Sequence, residues 1–206
     1  RYTLGASVRM DGSDLFGVDK KYRFLPIYSV SGLYRISNEP FFKPATGWMD
    51  NLSLRLSYGL QGNIDKNTSP YLIGTYGTQT ILPNNTENSI SISSAPNDKL
   101  RWEKTASYNI GVDFSVLKSA INLSVDYYYR KGTDLIGVKN LPLENGFNGM
   151  TINWASMENK GIEVNLQTRN ITTRNFSWYT TFNFAYNYNK VLKDLASTQS
   201  LTPGLE

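Results

Sequence analysis

Seven stretches of the chain alternate apolar and polar residues with a period of two, the pattern of a strand with two unlike faces. In 2–11, Tyr2, Leu4, Ala6, Val8 and Met10 share one side, while Thr3, Gly5, Ser7, Arg9 and Asp11 share the other. In 51–62, Leu52, Leu54, Leu56, Tyr58 and Leu60 oppose Ser53, Arg55, Ser57, Gly59 and Gln61. The same alternation runs through 105–116, 121–130, 162–169 and 176–189. In 24–36 one side carries Phe24, Tyr28, Val30, Tyr34 and Ile36, and the other is mixed and ends on Leu33 and Arg35. The spacing therefore predicts seven strands and an all-β chain.

Strand length, charge and connections point to a bilayer. The seven stretches run about 8–14 residues, against about 5–6 in soluble sheets. A strand tilted in a membrane needs roughly 9–11. Within these stretches the polar sides carry Arg9, Asp11, Arg35, Arg55, Asp113, Asp126, Arg130, Glu163 and Arg169, and the apolar sides carry no charge. A lipid-facing Arg or Lys costs roughly 2–4 kcal/mol at the bilayer midplane, so lipid on the apolar side accounts for the exclusion. Tight turns near Lys118-Ser119 and Thr172-Thr173-Arg174 alternate with long loops at 63–103 and 131–161, as short periplasmic turns alternate with long external loops in outer-membrane barrels. The 37–50 connection, with Pro40 and Pro44, falls on the periplasmic side without being short. Strands 2–11, 51–62, 121–130 and 176–189 then run outward. Tyr28, Tyr58, Tyr108, Tyr127, Tyr129, Tyr186 and Tyr188 fall near the external ends, and Tyr2, Tyr34, Phe176 and Trp178 near the periplasmic ends. Amphipathic rings at headgroup depth form such paired bands. The expected fold is a transmembrane, antiparallel, up-and-down β-barrel.

Composition narrows the chemistry. The 206 residues include no Cys and no His, which excludes disulfides, thiolate zinc sites, Ser-His-Asp triads and zincin motifs within this sequence. There is no apolar run of about 18 residues, so no transmembrane helix is expected. The formal net charge is only +4. Its one tight basic cluster, Lys20, Lys21 and Arg23, is read as a solvated loop, with no nucleic-acid partner. Asp11-Gly12-Ser13-Asp14 lacks the remaining ligand spacing and terminal Glu of a calcium loop, and reads as a polar turn. Sequons at Asn84 and Asn122 are expected from an Asn- and Ser-rich composition, and Asn122 lies within a spanning stretch. Asp113 and Asp126 can face one another across adjacent strands, which reads as lumen charge rather than an acid–base pair. No cofactor, metal or enzymatic activity is expected. If this chain touches a cargo or lid, the candidates are Arg55, Asp113, Asp126, Arg130 and Glu163 on the polar side, with Trp102 and Trp154 as stacking surfaces in the loops.

Several motifs carry a family resemblance. They are "RYTLGASVRMDGSDLFG" (1–17), "WMDNLSLRLSYGLQGN" (48–63), "LRWEKTASYNIGVDF" (100–114), "INLSVDYYYRKGTDLI" (121–136), "MENKGIEVNLQTRNI" (157–171) and "FSWYTTFNFAYNYNKV" (176–191). "LRWEK" and "MENKGIE" are the most specific, and 64–99 and 137–156 match least. The chain resembles the SusC/RagA family of TonB-linked outer-membrane transporters, in the C-terminal half of the barrel. The resemblance implies about seven consecutive strands of a 22-stranded barrel. The plug domain, TonB box and final strands are then expected to lie outside residues 1–206. It implies localisation in the bacterial outer membrane and active import of glycans or peptides, energised through the TonB complex. It also implies contact with outer-membrane lipid and a SusD-like surface lipoprotein as partner. It supplies no catalytic residues. The alternatives are a passive outer-membrane porin, which a plug upstream of Arg1 would exclude, and a soluble β-rich carbohydrate-binding module, which strand length and aromatic bands disfavour.

Overall fold

The computed structural model describes residues 1–194 apart from 17, 18, 46, 84, 93 and 148. The strands are β1 (Tyr2–Gly12), β2 (Phe24–Arg35), β3 (Met49–Asn63), β4 (Gly74–Leu82), β5 (Asn85–Ile92), β6 (Glu103–Val116), β7 (Ile121–Asn140), β8 (Gly149–Thr172) and β9 (Ser177–Lys193). Seven of them form one sheet in the order β1-β2-β3-β6-β7-β8-β9, every pairing antiparallel. This is the up-and-down connectivity that a barrel wall requires. β4 and β5 form a separate two-stranded ribbon.

Among the described residues, the buried hydrophobic side chains are Leu25, Phe42, Leu100, Trp102 and Val116. Leu4 and Val8 are more than four-fifths exposed, and Leu56, Ile110, Phe182 and Phe184 stand open on the same side of the sheet. A sandwich would bury that surface under a second layer. An apolar face this wide with nothing packed on it is an interaction surface of the kind expected of a lipid-facing wall. Rings mark its borders. Tyr28, Tyr58, Tyr108 and Tyr129 succeed one another across four strands with centroids 5.9, 4.7 and 6.2 Å apart. At the other end Tyr2 stacks on Tyr34 at 4.8 Å and Trp48 meets Phe114 edge-on at 6.5 Å.

The short connections lie at that second end. Between β6 and β7, Leu117, Lys118 and Ser119 take φ of 56°, 55° and 57°, the left-handed backbone that matches a hairpin's turn to strand twist. None is glycine, and neighbouring elements hold the turn. Ser119 N donates to Asp50 Oδ2 at 2.9 Å, and Arg169 Nη2 donates to the Lys118 carbonyl at 2.9 Å. The 37–50 connection forms two short 3-10 helices, Ile36–Asn38 and Pro40–Ala45. Between them the buried Glu39 accepts from Tyr2 Oη at 3.0 Å and pairs with Arg1 at 3.3 Å. Local helical compaction is how a connection of this length stays close to the sheet.

Three expectations need correction. Residues 131–140 belong to β7 and 149–161 to β8, so the expected 131–161 loop is mostly a projecting hairpin. The alternation hid this because the register slips between Gly132 and Leu135 and again between Leu135 and Ile136. Each slip moves the apolar residues to the other parity. The 63–103 loop contains the β4–β5 ribbon, whose exposed Thr, Gln, Asn and Ser leave little hydrophobic period to detect. The longer β8 also places Lys160 on the apolar side in register with Tyr129 and Tyr188, and Glu158 one row beyond it between Lys131 and Lys190. The charge-free apolar face therefore holds only up to that level.

Candidate functional site

The polar side of the sheet holds one dense side-chain network. Arg55 on β3 donates from Nε to Asp113 Oδ2 at 2.8 Å and from Nη2 to Asp113 Oδ1 at 3.0 Å. The same Nη2 reaches Ser124 Oγ at 3.2 Å and Asp126 Oδ2 at 2.9 Å on β7. Ser124 Oγ in turn donates to Asp113 Oδ1 at 2.9 Å. A guanidinium satisfies two carboxylates at once because its planar fork presents donors in several directions.

The reach from β3 to β7 crosses β6, and Gly111 makes it possible. Gly111 is the register partner of both Arg55 and Asp126. A Cβ there would lie 2.5 Å from Asp126 Oδ1 and 2.8 Å from Arg55 Cζ. The expected Asp113–Asp126 pair thus exists as two carboxylates bridged by Arg55 and Ser124. Their charge is neutralised in part, which opposes acid–base duty. Tyr128 repeats the device two strands over. Its ring lies across Gly161 on β8, and its hydroxyl donates to Asn187 Oδ1 on β9 at 3.2 Å.

Glu163 is the register partner of Asp126, is exposed, and forms no ion pair among the described residues. It edges a shallow depression of about 330 Å³ shared with Asp126, Asn165 and Asn183. Arg130 sits higher on the same face, exposed, with its guanidinium 5.2 Å from the Tyr128 ring centroid. It borders a second depression of about 430 Å³ floored by Ser29, Ser57, Gly59 and Ser107. The five polar-side candidates therefore share one wall, with Arg55, Asp113 and Asp126 in contact, Glu163 beside them and Arg130 apart.

The two tryptophans lie elsewhere. Trp102 is 6% exposed and packs with Leu25 and the fully buried Leu100, against Leu15, Tyr22, Ile27, Ile64 and Ile136. Its Nε1 donates to the Arg23 carbonyl at 3.4 Å. It is packing at the loop end of the sheet rather than a ring presented for stacking. Trp154 is 38% exposed, with Lys193 Nζ 3.6 Å from its ring centroid.

The rest of the Leu100–Lys104 motif acts with Trp102 as a clasp. Asn153 Oδ1 accepts from Arg101 N at 2.9 Å, while Asn153 Nδ2 donates to the carbonyls of Arg101 and Asp134, both at 2.7 Å. Glu103 accepts from Asn63 Nδ2 at 2.8 Å and from Ile136 N at 2.9 Å. Asp134 pairs with Arg101 at 2.7 Å and Lys104 at 3.3 Å, from the one left-handed residue of β7, φ 58°. Sequence reasoning missed this assembly, since its partners lie 19 to 52 residues apart. No local period marked them, because Asn153 falls on the polar parity of 150–154 and Asp134 lies where the alternation breaks.

Burial pushes the Asp134 carboxyl upward, but Arg101 and Lys104 outweigh it and hold the group below its usual range. A depressed folded value means that the clasp's stability is fully present above the unfolded value, about 3.9, and is lost as pH falls through the folded one. In the full-length protein, the protection of the 131–140 amides relative to their intrinsic exchange rates is expected to fall on acidification below about pH 4. Asp134→Asn should remove that acid step while keeping the left-handed backbone. An equal step in both proteins would remove Asp134 as its source.

The remaining polar motifs resolve simply. Asp11 pairs with Arg9 at 2.7 Å, Asp14 with Arg23, and Asp19 with Lys21 at 2.8 Å. The acids of the 11–14 turn and two cations of the basic cluster are thus occupied by one another or by neighbours. Asn122 lies in β7 and donates to the Ser119 carbonyl at 3.0 Å, and Asn84 lies outside the described residues.

The wall just described has known counterparts. The family model "TonB dependent receptor-like, beta-barrel" matches residues 1–204. A TonB-dependent receptor of Formosa agariphila is 35% identical over 193 residues, covering 94% of this chain and 18% of the relative. The TonB-dependent receptor SusC of Bacteroides thetaiotaomicron is 33% identical over 199 residues, covering 94% of this chain and 19% of SusC. Among solved structures, the RagAB peptide importer in its closed-closed state superposes with a TM-score of 0.77 at 29% identity, over 93% of this chain and 20% of that one. This chain therefore spans about a fifth of the length of the relatives it matches. With seven antiparallel strands, one apolar face and one charged face, the chain belongs to the TonB-dependent receptor-like β-barrel family.

Proposed function

We propose that this chain forms part of the barrel wall of an active outer-membrane importer of the SusC/RagA kind. The observation that carries the reading is the pairing of a broad exposed apolar face, charged only near its loop end, with an opposite face organised around Arg55, Asp113 and Asp126. In this reading the seven strands are consecutive members of the C-terminal half of a 22-stranded barrel. The turn end faces the periplasm, and the β7–β8 hairpin and β4–β5 ribbon face outward. The cargo is a glycan or a peptide, a SusD-like lipoprotein closes the outer mouth, and the TonB complex supplies the energy. The exposed Arg130 and Glu163, beside polar depressions on the inner wall, are the residues of this chain proposed to meet cargo. Similarity to SusC and to the RagAB importer supports the assignment. A passive porin would need no plug and no energy coupling, and nothing in the wall favours it.

The test uses the full-length protein in its native outer membrane. Uptake of the cargo should stop when TonB is removed, and a surface lipoprotein should co-purify with the barrel. Uptake that persists without TonB would overturn the reading in favour of passive diffusion.

A further inference from the structure

The apolar face changes character in ordered steps across β7, β8 and β9. One register row is Val125, Val164 and Phe184, and the next toward the loop end is Tyr127, Ile162 and Tyr186. Then come Tyr129, Lys160 and Tyr188, and finally Lys131, Glu158 and Lys190. The rows run from hydrocarbon-like through aromatic to charged within three steps. Charge on an outward position costs least at the interface, where the penalty falls to about 0–1 kcal/mol, so the last two rows lie at headgroup depth.

The charges there do not cancel. Three ammonium groups stand against one carboxylate. Glu158 accepts from Tyr129 Oη at 3.2 Å and lies 3.8 Å from Lys160 Nζ, and Lys160 also sits 5.2 Å from the Tyr188 ring centroid. Lys131 and Lys190 are exposed, flank Glu158 on either side, and form no ion pair among the described residues. A depression of about 520 Å³ opens between Tyr127, Ile162 and Tyr186 on one side and Lys160, Glu158 and Lys190 on the other. Its floor is apolar, and its upper rim carries Lys160 and Lys190 around Glu158.

We infer that this depression is a binding site for an anionic lipid of the outer leaflet. The lipid's phosphate is held at the rim by Lys160 and Lys190, with Lys131 in the same register row beyond Glu158, and its acyl chains lie over Tyr127, Ile162 and Tyr186. Ammonium groups serve as point-charge partners for phosphate oxygens, and the apolar rows beneath accept chains that a free anion does not have. The inference rests on the proposed outward orientation of the loop end.

The probes are monophosphoryl lipid A and its dephosphorylated counterpart, titrated onto the full-length protein and read by native mass spectrometry. The phosphorylated lipid is expected to bind more tightly, and K131Q/K160Q/K190Q to weaken that binding at least about tenfold. The variant should keep the wild-type heat-dependent gel migration. Equal binding of the two lipids, or an unchanged triple variant, would overturn the inference. Displacement of the lipid by inorganic phosphate alone would also do so, since it would mark a free-anion site. A membrane-impermeant thiol reagent on intact cells carrying Glu87→Cys checks the orientation separately. Labelling with no lipid discrimination sinks this site alone, whereas absent labelling overturns both the site and the orientation beneath it.

Discussion

Trp102→Ala is expected to destabilise the loop end of the barrel by about 3–5 kcal/mol, the usual range for deleting a buried indole or phenyl group. The ring is 6% exposed and shares its cluster with Leu25 and Leu100. It also lies close to Gly62, where a Cβ would approach Trp102 Cε3 to 3.1 Å and Leu25 Cδ2 to 2.3 Å. Such a site has little freedom to collapse around a cavity. The loss should appear in the full-length protein as a lower temperature at which the heat-resistant gel form disappears, and as faster amide exchange over 100–104 and 131–140. Trp102→Phe should recover most of the loss by refilling the volume. An alanine variant as stable as wild type would show that neighbouring loops support the cluster without the ring.

Gly161→Ala should be the most damaging of the small substitutions in the sheet. The added Cβ would lie 2.4 Å from the Tyr186 carbonyl oxygen and 2.6 Å from the Tyr128 hydroxyl. The tyrosine can swing away, but the carbonyl belongs to the backbone of the adjacent strand. The β8–β9 pairing must part locally, with a cost of about 1–3 kcal/mol for overpacking, and Tyr128 must release Asn187. Comparing Gly161→Ala with Gly161→Ala/Tyr128→Ala separates the two contributions. If the double variant regains wild-type stability, the ring was the obstacle. If it does not, the backbone contact dominates, which is the expected result.

How much of this was legible depended on whether a residue speaks through local period or through a distant partner. The seven spanning strands were visible because Leu52 to Leu60 and Ala106 to Val116 each hold one parity from end to end. The two tyrosine and tryptophan borders followed from those strands. β7 beyond Arg130 was not visible, because Asp134 in left-handed backbone and the slip to Leu135 break the period. The polar-side candidates could be named from their parity. Their joining by Arg55 could not, since it depends on Gly111 lying between two particular strands in one particular register. Trp102 was misjudged for a related reason. A tryptophan outside any alternating stretch looks like a loop ring until Leu25, 77 positions earlier, is seen to lie against it in the cluster.

The two crossed glycines bear on how the wall acquires its alignment. A strict in–out alternation tolerates any offset of two residues between neighbours, because such a shift returns every side chain to its proper face. Hydrophobicity alone therefore leaves a ladder of degenerate alignments. Gly111 and Gly161 lift that degeneracy. Moving β6 by two positions would set Asn109 or Asp113 beneath the Arg55 guanidinium, and moving β8 by two would set Asn159 or Glu163 beneath the Tyr128 ring. Either displaced alignment collides with the crossing side chain and strands its hydrogen bonds. The missing side chains thus work as alignment marks, selecting one offset from a set that the lipid cannot tell apart.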